Sequence, residues 1–378
     1  MIYLDNAATS FPKPPQVIRA MTDALQNFGA NPGRGGHQLA LRAGKTVEKC
    51  REAAAAFLGV PSPERVIFTR NCTESLNLAI LGMLHKGDEV ICSHSEHNAV
   101  MRPLERLVSR DGVTVKLLRP DARGLLSPEG LRRAITSRTG LVIICHASNV
   151  TGVIQPVQEL GSICREKGVP LLVDAAQTAG VLDVSLDSLH ADMIAMPGHK
   201  GLLGPHGTGL LALREGVDPE PLILGGTGSA SESVRQPELL PDRYESGTVN
   251  LPGIAGLLAG IEYIARQREH IHRRESALNE RLRRQLAGIP GLRILGDDSA
   301  PRVAITSVVP EGGDSAALAD ALDATGVAVR GGLHCAPAMH SYLGTMRSGA
   351  VRFSPGPYTT ERDVDDAAAL VARLMRTS

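Results

Sequence analysis

The chain has 378 residues, of which 43% are hydrophobic and 21% charged, and its 40 basic and 40 acidic side chains cancel to a formal net charge of zero. This length and composition are typical of a globular protein with two or three domains. Zero net charge and a low aromatic content, 3% with no Trp, argue against binding to nucleic acid or to an anionic membrane. Both would need a basic surface, and single-stranded nucleic acid also needs stacking side chains.

The N-terminus and the cysteines indicate the cellular setting. Residues 1–5 contain no basic residue and no long apolar run, so we expect no signal peptide. The longest uncharged stretch, 139–158, contains His146, Asn149 and Pro156 and is a poor membrane span. The six cysteines form no Cys-x-x-Cys pair, which favours reduced thiols over a disulfide framework or a zinc site. We therefore expect a soluble, cytoplasmic protein.

Short apolar, β-branched runs alternate with helical patterns through the first part of the chain. Buried parallel strands have continuous apolar runs of this kind, and their alternation with helices is typical of a doubly wound α/β sheet. We therefore predict a mainly parallel seven-stranded sheet. Its strands are expected at 65–69, 89–93, 113–118, 141–146, 170–174, 192–196 and 209–213.

The pattern changes after the seventh predicted strand. The polar stretch 225–241 is predicted to be a surface loop, and a long helix is predicted over 254–286. The charged second half of that helix, 266–284, is expected to face solvent. Strands near 303–309, 327–330 and 351–354, with helices at 314–325 and from 360, then predict a smaller α+β domain. We expect residues 13–255 to form the large domain, and residues 1–12 with 256–378 to form the small one.

Polar side chains follow the predicted strands at the ends where open α/β sheets bind ligands. A helix that starts near Cys72 and Thr73 offers an anion site. A carboxylate at Asp174 can pair with a protonated ring nitrogen, and a lysine at Lys200 can form a Schiff base with an aldehyde. Phosphate, aromatic ring, ring nitrogen and aldehyde together describe pyridoxal phosphate. The remaining side chains in this set are His97, Asn149, Gln177 and His199.

Taken singly, each of these residues has a plainer explanation. Thr73 can belong to an ordinary capped helix, and Lys200 can be a surface lysine. His94 and His97 are spaced so that they could bind a metal, but no further ligand clusters near them, and we expect no metal. Only the ordered set of residues favours the cofactor.

Two further candidates lie in the predicted small domain. Cys335 follows His334 in a glycine-rich turn, which favours a reactive thiolate over an inert buried thiol. Arg352 ends a predicted strand and can bind a carboxylate through two hydrogen bonds, or form a structural ion pair. The other five cysteines are expected to be buried and inert, although Cys72 lies in the predicted phosphate loop.

In this order, the residues resemble the class V aminotransferase family of fold-type I pyridoxal-phosphate enzymes. Within it they most resemble the second group of cysteine desulfurases and the related selenocysteine lyases. The resemblance spans nearly the whole chain. It is carried by residues 3–9, by Gly198-His199-Lys200, by residues 245–248 and by residues 330–335.

The resemblance implies a role for each matching residue. Lys200 would anchor the cofactor, Cys335 would be the nucleophile, and His97 would stack on the ring and move protons. Thr248 would reach the phosphate bound by a second subunit, which implies a homodimer. The other implied cofactor contacts are Asp174, Gln177, Cys72, Thr73, His199 and Asn149, and the implied substrate contacts are Arg352, Asn149 and Asn6.

The resemblance also implies an activity. A cysteine desulfurase removes sulfur from L-cysteine, releases L-alanine and leaves a persulfide on Cys335 for transfer to an acceptor protein. The alternatives are a selenocysteine lyase, another class V aminotransferase, or a non-catalytic scaffold. Three residues depart from the family pattern: Cys72 replaces a common Thr, Pro197 replaces a phosphate donor, and Leu333 replaces a His.

Overall fold

The computed structural model describes residues 1–33 and 35–377, which form two sheets, a short strand pair and the surrounding helices. The strands are β1 (Ile2–Tyr3), β2 (Val66–Thr69), β3 (Glu89–Ser93), β4 (Thr114–Leu118), β5 (Thr139–Cys145), β6 (Leu171–Asp174), β7 (Met193–Pro197), β8 (Gly209–Leu213), β9 (Leu292–Ile294), β10 (Thr306–Pro310), β11 (Val327–Ala328), β12 (Arg330–Gly332) and β13 (Ala350–Phe353). The helices are α1 (Pro15–Asn27), α2 (Gln38–Leu58), α3 (Cys72–Met83), α4 (Asn98–Asp111), α5 (Pro128–Ala134), α6 (Val157–Lys167), α7 (Leu251–Ala287), α8 (Ser315–Ala324), α9 (Pro337–Tyr342) and α10 (Glu361–Thr377).

The large sheet has the strand order β2-β8-β7-β6-β5-β3-β4. Only β8 runs against its neighbours β2 and β7, so the prediction of a mainly parallel seven-stranded sheet is confirmed. Strands β3, β6, β7 and β8 are buried at every position, as their apolar runs require. Helices cover both faces, with α2 and α6 on one core and α3 and α4 on the other.

Because β2, β3, β5, β6 and β7 point the same way, their carboxyl ends meet at one edge of the sheet. Two helices start there with side-chain caps. The Glu74 backbone N–H donates to Asn71 Oδ1 over 3.0 Å at the start of α3. The Ala99 backbone N–H donates to His97 Nδ1 over 3.0 Å at the start of α4. The edge therefore gathers polar side chains and helix N-termini, as an anion site requires.

The second sheet is antiparallel, in the order β12-β13-β10-β9. It packs with α8, α10 and the C-terminal half of α7 around a separate core. The N-terminal segment joins it, because β1 pairs with β11 and Asp5 bridges to Ser354 just after β13. The N-terminal half of α7 belongs to the core of the large sheet, so this helix links the two sheets.

The charged half of α7 presents most of its charged side chains to solvent, as predicted, with two exceptions among the charged residues. Glu275 and Arg283 are buried, and so is Asn279 between them. The Arg283 guanidinium donates to Asp298 Oδ1 and to the carbonyls of Leu295 and Gly296. Charge pattern alone does not reveal this burial, because the C-terminal half of this helix packs into a second core that forms only with the four-stranded sheet.

Glu275 is 7% exposed, and burial raises the pKa of its carboxyl from 4.5 to about 8. Between these values the folded state keeps a proton that the unfolded chain releases, so stability falls as pH rises through this window. We expect Glu275→Gln to remove that loss and to raise the unfolding free energy at about pH 8 by roughly 4 kcal/mol. Denaturant titrations at about pH 5 and about pH 8 measure it.

The exposed Glu280 on the same helix supplies the matched control, Glu280→Gln. An equal gain in both variants, or a Glu275→Gln gain that does not depend on pH, would contradict the assignment to the buried carboxyl.

Among the described residues, no helix is long and apolar enough to cross a membrane.

Candidate active site

A cavity of about 190 Å³ opens at the carboxyl edge of the large sheet. We call it the Lys200 cavity. It brings together most of the residues that the sequence singled out, from the ends of five strands, β2, β3, β5, β6 and β7. Its lining includes Cys72, Thr73, His97, Asn149, Asp174, Gln177, His199 and Lys200.

Two glycines set the backbone around Lys200. A Cβ on Gly198 would lie 2.1 Å from Thr208 Oγ1, and one on Gly201 would lie 2.3 Å from the Ala179 carbonyl oxygen. Only glycine allows these close approaches, so the Gly-His-Lys-Gly stretch is required by packing as well as by chemistry. Burial lowers the pKa of the Lys200 amine, against the raising effect of Asp174. A larger neutral fraction makes this amine a better nucleophile for a carbonyl.

Asp174 is 4% exposed at the end of β6. Its Oδ1 accepts from the Ala176 backbone N–H over 2.9 Å and from the Cys72 thiol over 3.7 Å. Both contacts reach the same oxygen, which leaves Oδ2 for a ligand. Burial raises the pKa of the Cys72 thiol, so this thiol is a neutral donor beside the carboxylate.

His97 presents one defined tautomer to the cavity. Its Nδ1 accepts from the Ala99 backbone N–H, so in the neutral ring the proton sits on Nε2. Burial lowers the pKa of this imidazole, which keeps the ring neutral. A neutral ring can stack on an aromatic ligand and donate from Nε2.

His199 lies on the side of the cavity next to the start of α3. Its ring stacks on that of His206 with centroids 5.0 Å apart. Burial, with help from nearby Lys200, lowers the pKa of His199 to about 3. Its buried Nδ1 has no hydrogen-bond partner in the described part of the chain. With Thr73 and the first turn of α3, His199 forms a neutral cradle for an anionic group.

Arg352 is 2% exposed and held from two sides. It donates to the Asn149 carbonyl oxygen over 3.2 Å and to Asp5 Oδ1 over 3.0 Å. Arg330 donates to the other oxygen, Asp5 Oδ2, over 3.1 Å. The two guanidiniums therefore share one carboxylate, and the Nε of Arg352 has no partner among the described residues. The pair keeps a surplus of positive charge for a carboxylate ligand.

Cys335 is exposed, whereas the other five cysteines are buried, as the sequence predicted. Its loop is tied to the edge of the large sheet by main-chain contacts. The Asn98 backbone N–H donates to the Cys335 carbonyl over 2.8 Å. Asn149 Nδ2 donates to the His334 carbonyl over 2.7 Å. The thiol-bearing loop is thus attached beside His97 and Asn149, two residues that line the Lys200 cavity.

Besides Cys335 and Arg352, two more predicted site residues do not line the Lys200 cavity. Asn6 donates to the Ser354 carbonyl over 3.0 Å and lines a neighbouring cavity with Gln177 and Lys200. Thr248 lines a different cavity, which it shares with His199 and which we call the Thr248 cavity. Asn71 and His199 border both the Lys200 and the Thr248 cavities, so the predicted phosphate end of the site lies between them.

Sequence reasoning gave no role to three residues near the site. Asp5 binds both Arg330 and Arg352, and the His340 ring contacts that of His334, the residue before Cys335. Buried Glu96 accepts from Ser93 Oγ and from the Cys145 backbone N–H, and burial raises its pKa to about 8. Asp5 falls in the stretch that carried the family resemblance, which is the one available signal. Nothing local marks the other two.

Comparisons with known proteins agree with this geometry. A sequence profile of the family described as aminotransferase class-V matches residues 2–366. The chain belongs to the class-V aminotransferase family. Its enzymes depend on pyridoxal phosphate, as the sequence analysis expected.

Individual members of the family match the chain over nearly its full length. A probable cysteine desulfurase of Methanothermobacter thermautotrophicus is 37% identical over 96% of this chain and 92% of its own length. One from Pyrococcus abyssi is 34% identical over 100% of this chain and 95% of its own. The apo structure of cysteine desulfurase from Thermococcus onnurineus NA1 superposes with a TM-score of 0.93 at 34% identity, covering 100% of this chain and 95% of its own. The predicted fold-type I architecture is thereby confirmed.

The donor set of the Lys200 cavity fits pyridoxal phosphate. Asn149 Oδ1 and His199 Nδ1 are buried without partners among the described residues, so each can take a ligand contact. Asp174 supplies the anion for a ring nitrogen, Lys200 the amine for an aldehyde, and the start of α3 the N–H groups for a phosphate. Pro197 lines the same cavity without a donor, so the family's usual hydrogen bond is missing there.

Proposed function

We propose that the protein is a cysteine desulfurase. It would convert L-cysteine and the Cys335 thiol into L-alanine and a persulfide on Cys335. The substrate's C–S bond breaks, an S–S bond forms, and the carbon takes a proton, so atoms and electrons balance without an external oxidant or reductant. The observation that carries the proposal is an exposed Cys335 on a loop anchored beside a cavity that holds Lys200 and Asp174.

We assign substrate binding to the side of the site where Arg352 and Arg330 share the Asp5 carboxylate. Arg352 is buried with a surplus of positive charge, and we propose that it holds the substrate carboxylate. Asn149 joins both ends, since its carbonyl accepts from Arg352 while its amide nitrogen donates to the Cys335 loop. Its unpartnered Oδ1 is available to the cofactor or the substrate. Asn6 donates to the Ser354 carbonyl and so holds the N-terminal segment against the end of β13, the strand that carries Arg352.

We propose that the protein's own side chains hold the cofactor and transfer the protons of the reaction. When bound, pyridoxal phosphate supplies an electron sink that stabilises negative charge on the substrate carbons. Asp174 would keep the ring nitrogen protonated, Gln177 would contact the ring oxygen, and Thr73, His199 and Cys72 would lie at the phosphate side. Lys200 would hold the aldehyde and, as a neutral amine, would move the substrate proton. His97 would stack on the ring and donate from Nε2.

We also propose two domains, residues 13–255 and residues 1–12 with 256–378, joined by α7. A homodimer is proposed because Thr248 lies in its own cavity rather than in the Lys200 cavity, and a second subunit could bring it to the phosphate. The persulfide on an exposed loop suits transfer to an acceptor protein in the cytoplasm.

The deciding experiment incubates the purified, pyridoxal-phosphate-loaded protein with L-cysteine and, in parallel, with L-selenocysteine. We expect alanine from L-cysteine and, without reductant, one additional sulfur on Cys335 by mass spectrometry of the intact protein and its peptides. Alanine from selenocysteine alone would favour the lyase. Formation of a keto acid without alanine would favour an aminotransferase.

A further inference from the structure

The Cys335 loop contains two consecutive residues in a backbone conformation that L-amino acids rarely adopt. His334 has φ +52° and Cys335 has φ +55°. Neither is glycine, so the conformation is strained. Such strain persists only where the surrounding contacts hold it in place. The contacts around this loop therefore determine where the thiol lies.

The hydrogen bonds from the Asn98 backbone N–H and from the Asn149 side-chain amide reach only the backbone carbonyls of the loop. The side chain of His334 is held from the other direction, by the small domain. Its Nε2 lies 3.1 Å from the Arg330 carbonyl oxygen and its Nδ1 lies 3.3 Å from His340 Nε2. The chain of contacts thus continues from the loop into a second, fully buried imidazole.

The His340 ring is in turn held by a hydroxyl. His340 is 0% exposed, and its Nδ1 lies 2.8 Å from Thr345 Oγ1. The backbone N–H of Thr345 also donates to the His340 carbonyl over 2.8 Å, which fixes the spacing of the two residues. Each imidazole nitrogen of His334 and His340 therefore has a partner.

The chemistry of the end groups settles the direction of every hydrogen bond. A carbonyl oxygen only accepts, so His334 Nε2 carries the proton that it donates to Arg330. Burial lowers the pKa of His334 to about 3 and also lowers that of His340, so both rings are neutral. His334 Nδ1 must then accept from His340 Nε2, and His340 Nδ1 must accept from the Thr345 hydroxyl. One tautomer of each ring satisfies the whole chain.

The last acceptor in this series of hydrogen bonds is the Arg330 carbonyl. It lies on β12, which pairs with β13, the strand that carries Arg352. Arg330 stands directly opposite Arg352 in the pairing of β12 with β13, and both guanidiniums bind Asp5. The contact that orients His334 is thus made to the same strand pair that holds Arg352. Displacing the imidazoles would move the thiol relative to Arg352.

We propose that His340 and Thr345 are positioning residues that, through a fixed tautomer of His334, hold Cys335 in its left-handed conformation beside the Lys200 cavity. The effect on turnover rests on the proposed function, whereas the effect on loop order does not. The two are measured separately.

The test compares His340→Phe with His340→Gln in the loaded enzyme. Phe keeps the ring volume but cannot donate to His334, whereas the Gln amide can donate from near the position of Nε2. We expect His340→Phe to lower kcat by about 10- to 100-fold with KM little changed, because misplacing a reacting group by ~1 Å costs rates of this order. His340→Gln should recover most of the loss.

Amide hydrogen exchange of residues 333–336 is the readout that does not depend on activity. His340→Phe should accelerate it, and His340→Gln should restore the slow exchange. Unchanged exchange in His340→Phe, or no recovery of either quantity in His340→Gln, would overturn the inference. If wild type makes no alanine from cysteine, the proposed function fails while the exchange result still decides the positioning.

A second pair covers the case in which His340→Phe does not fold. Thr345→Val keeps the shape of the side chain and removes the hydroxyl, and Thr345→Ser restores it. We expect faster loop exchange and a lower kcat in the first and near wild-type values in the second. Equal behaviour of the two variants would contradict a role for the hydroxyl.

Discussion

Cys335→Ala should abolish alanine formation from L-cysteine, with a loss of at least ~1,000-fold in kcat, the order seen when a covalent nucleophile is removed. The substrate sulfur would then have no thiolate to accept it. The cofactor should stay bound, because Cys335 does not line the Lys200 cavity. Alanine assays report the loss, and the visible absorbance of the bound cofactor reports that the rest of the site is intact.

Cys164→Ala is the matched control, since Cys164 is a buried thiol in the core of the large sheet. It should retain turnover and still form a persulfide on Cys335. Full desulfurase activity in Cys335→Ala, or a persulfide on another cysteine, would refute the nucleophile assignment.

Much of the site could be predicted because its residues obey local rules. Asp174 ends an apolar run, and Lys200 follows another, so each can be placed at a strand end from a few neighbouring residues. Parallel strands then bring those ends to one edge without any further information. The same reasoning placed His97 and Asn149 correctly, and all four line one cavity.

The pairing of Arg352 could not be predicted in the same way. The sequence analysis left Arg352 as either a carboxylate binder or a structural ion pair. In the structure it is paired with Asp5, at the other end of the chain, because β1 pairs with β11 and Asp5 bridges to Ser354. That pairing depends on a contact between distant parts of the chain, which no local pattern encodes. Because Asp5 is shared with Arg330, Arg352 can form a structural ion pair and still bind a ligand carboxylate.

Burial on α7 could not be predicted for a related reason. A helical charge pattern reports only the helix itself, whereas Glu275 is buried on a helix that contributes to two separate cores.

Lys200→Ala should prevent covalent attachment of pyridoxal phosphate and lower kcat by at least ~1,000-fold. Lys200 is the lysine of the cavity, with an amine whose pKa burial lowers and whose charge Asp174 supports. No other group in the cavity's lining can form a Schiff base with an aldehyde. Borohydride reduction followed by mass spectrometry should label Lys200 in wild type and leave the variant unlabelled.

Two comparisons make this result specific. Lys45→Ala, at an exposed position on α2, should keep both the label and the activity. Lys200→Arg keeps a positive charge beside Asp174 but forms no Schiff base, so it separates the electrostatic role from the covalent one. If Lys200→Arg kept turnover, the charge alone would be sufficient and the covalent role would be wrong. A reduced adduct on a different lysine in wild type would contradict Lys200 as the cofactor lysine. It would also contradict the assignment of Asp174 to the ring nitrogen.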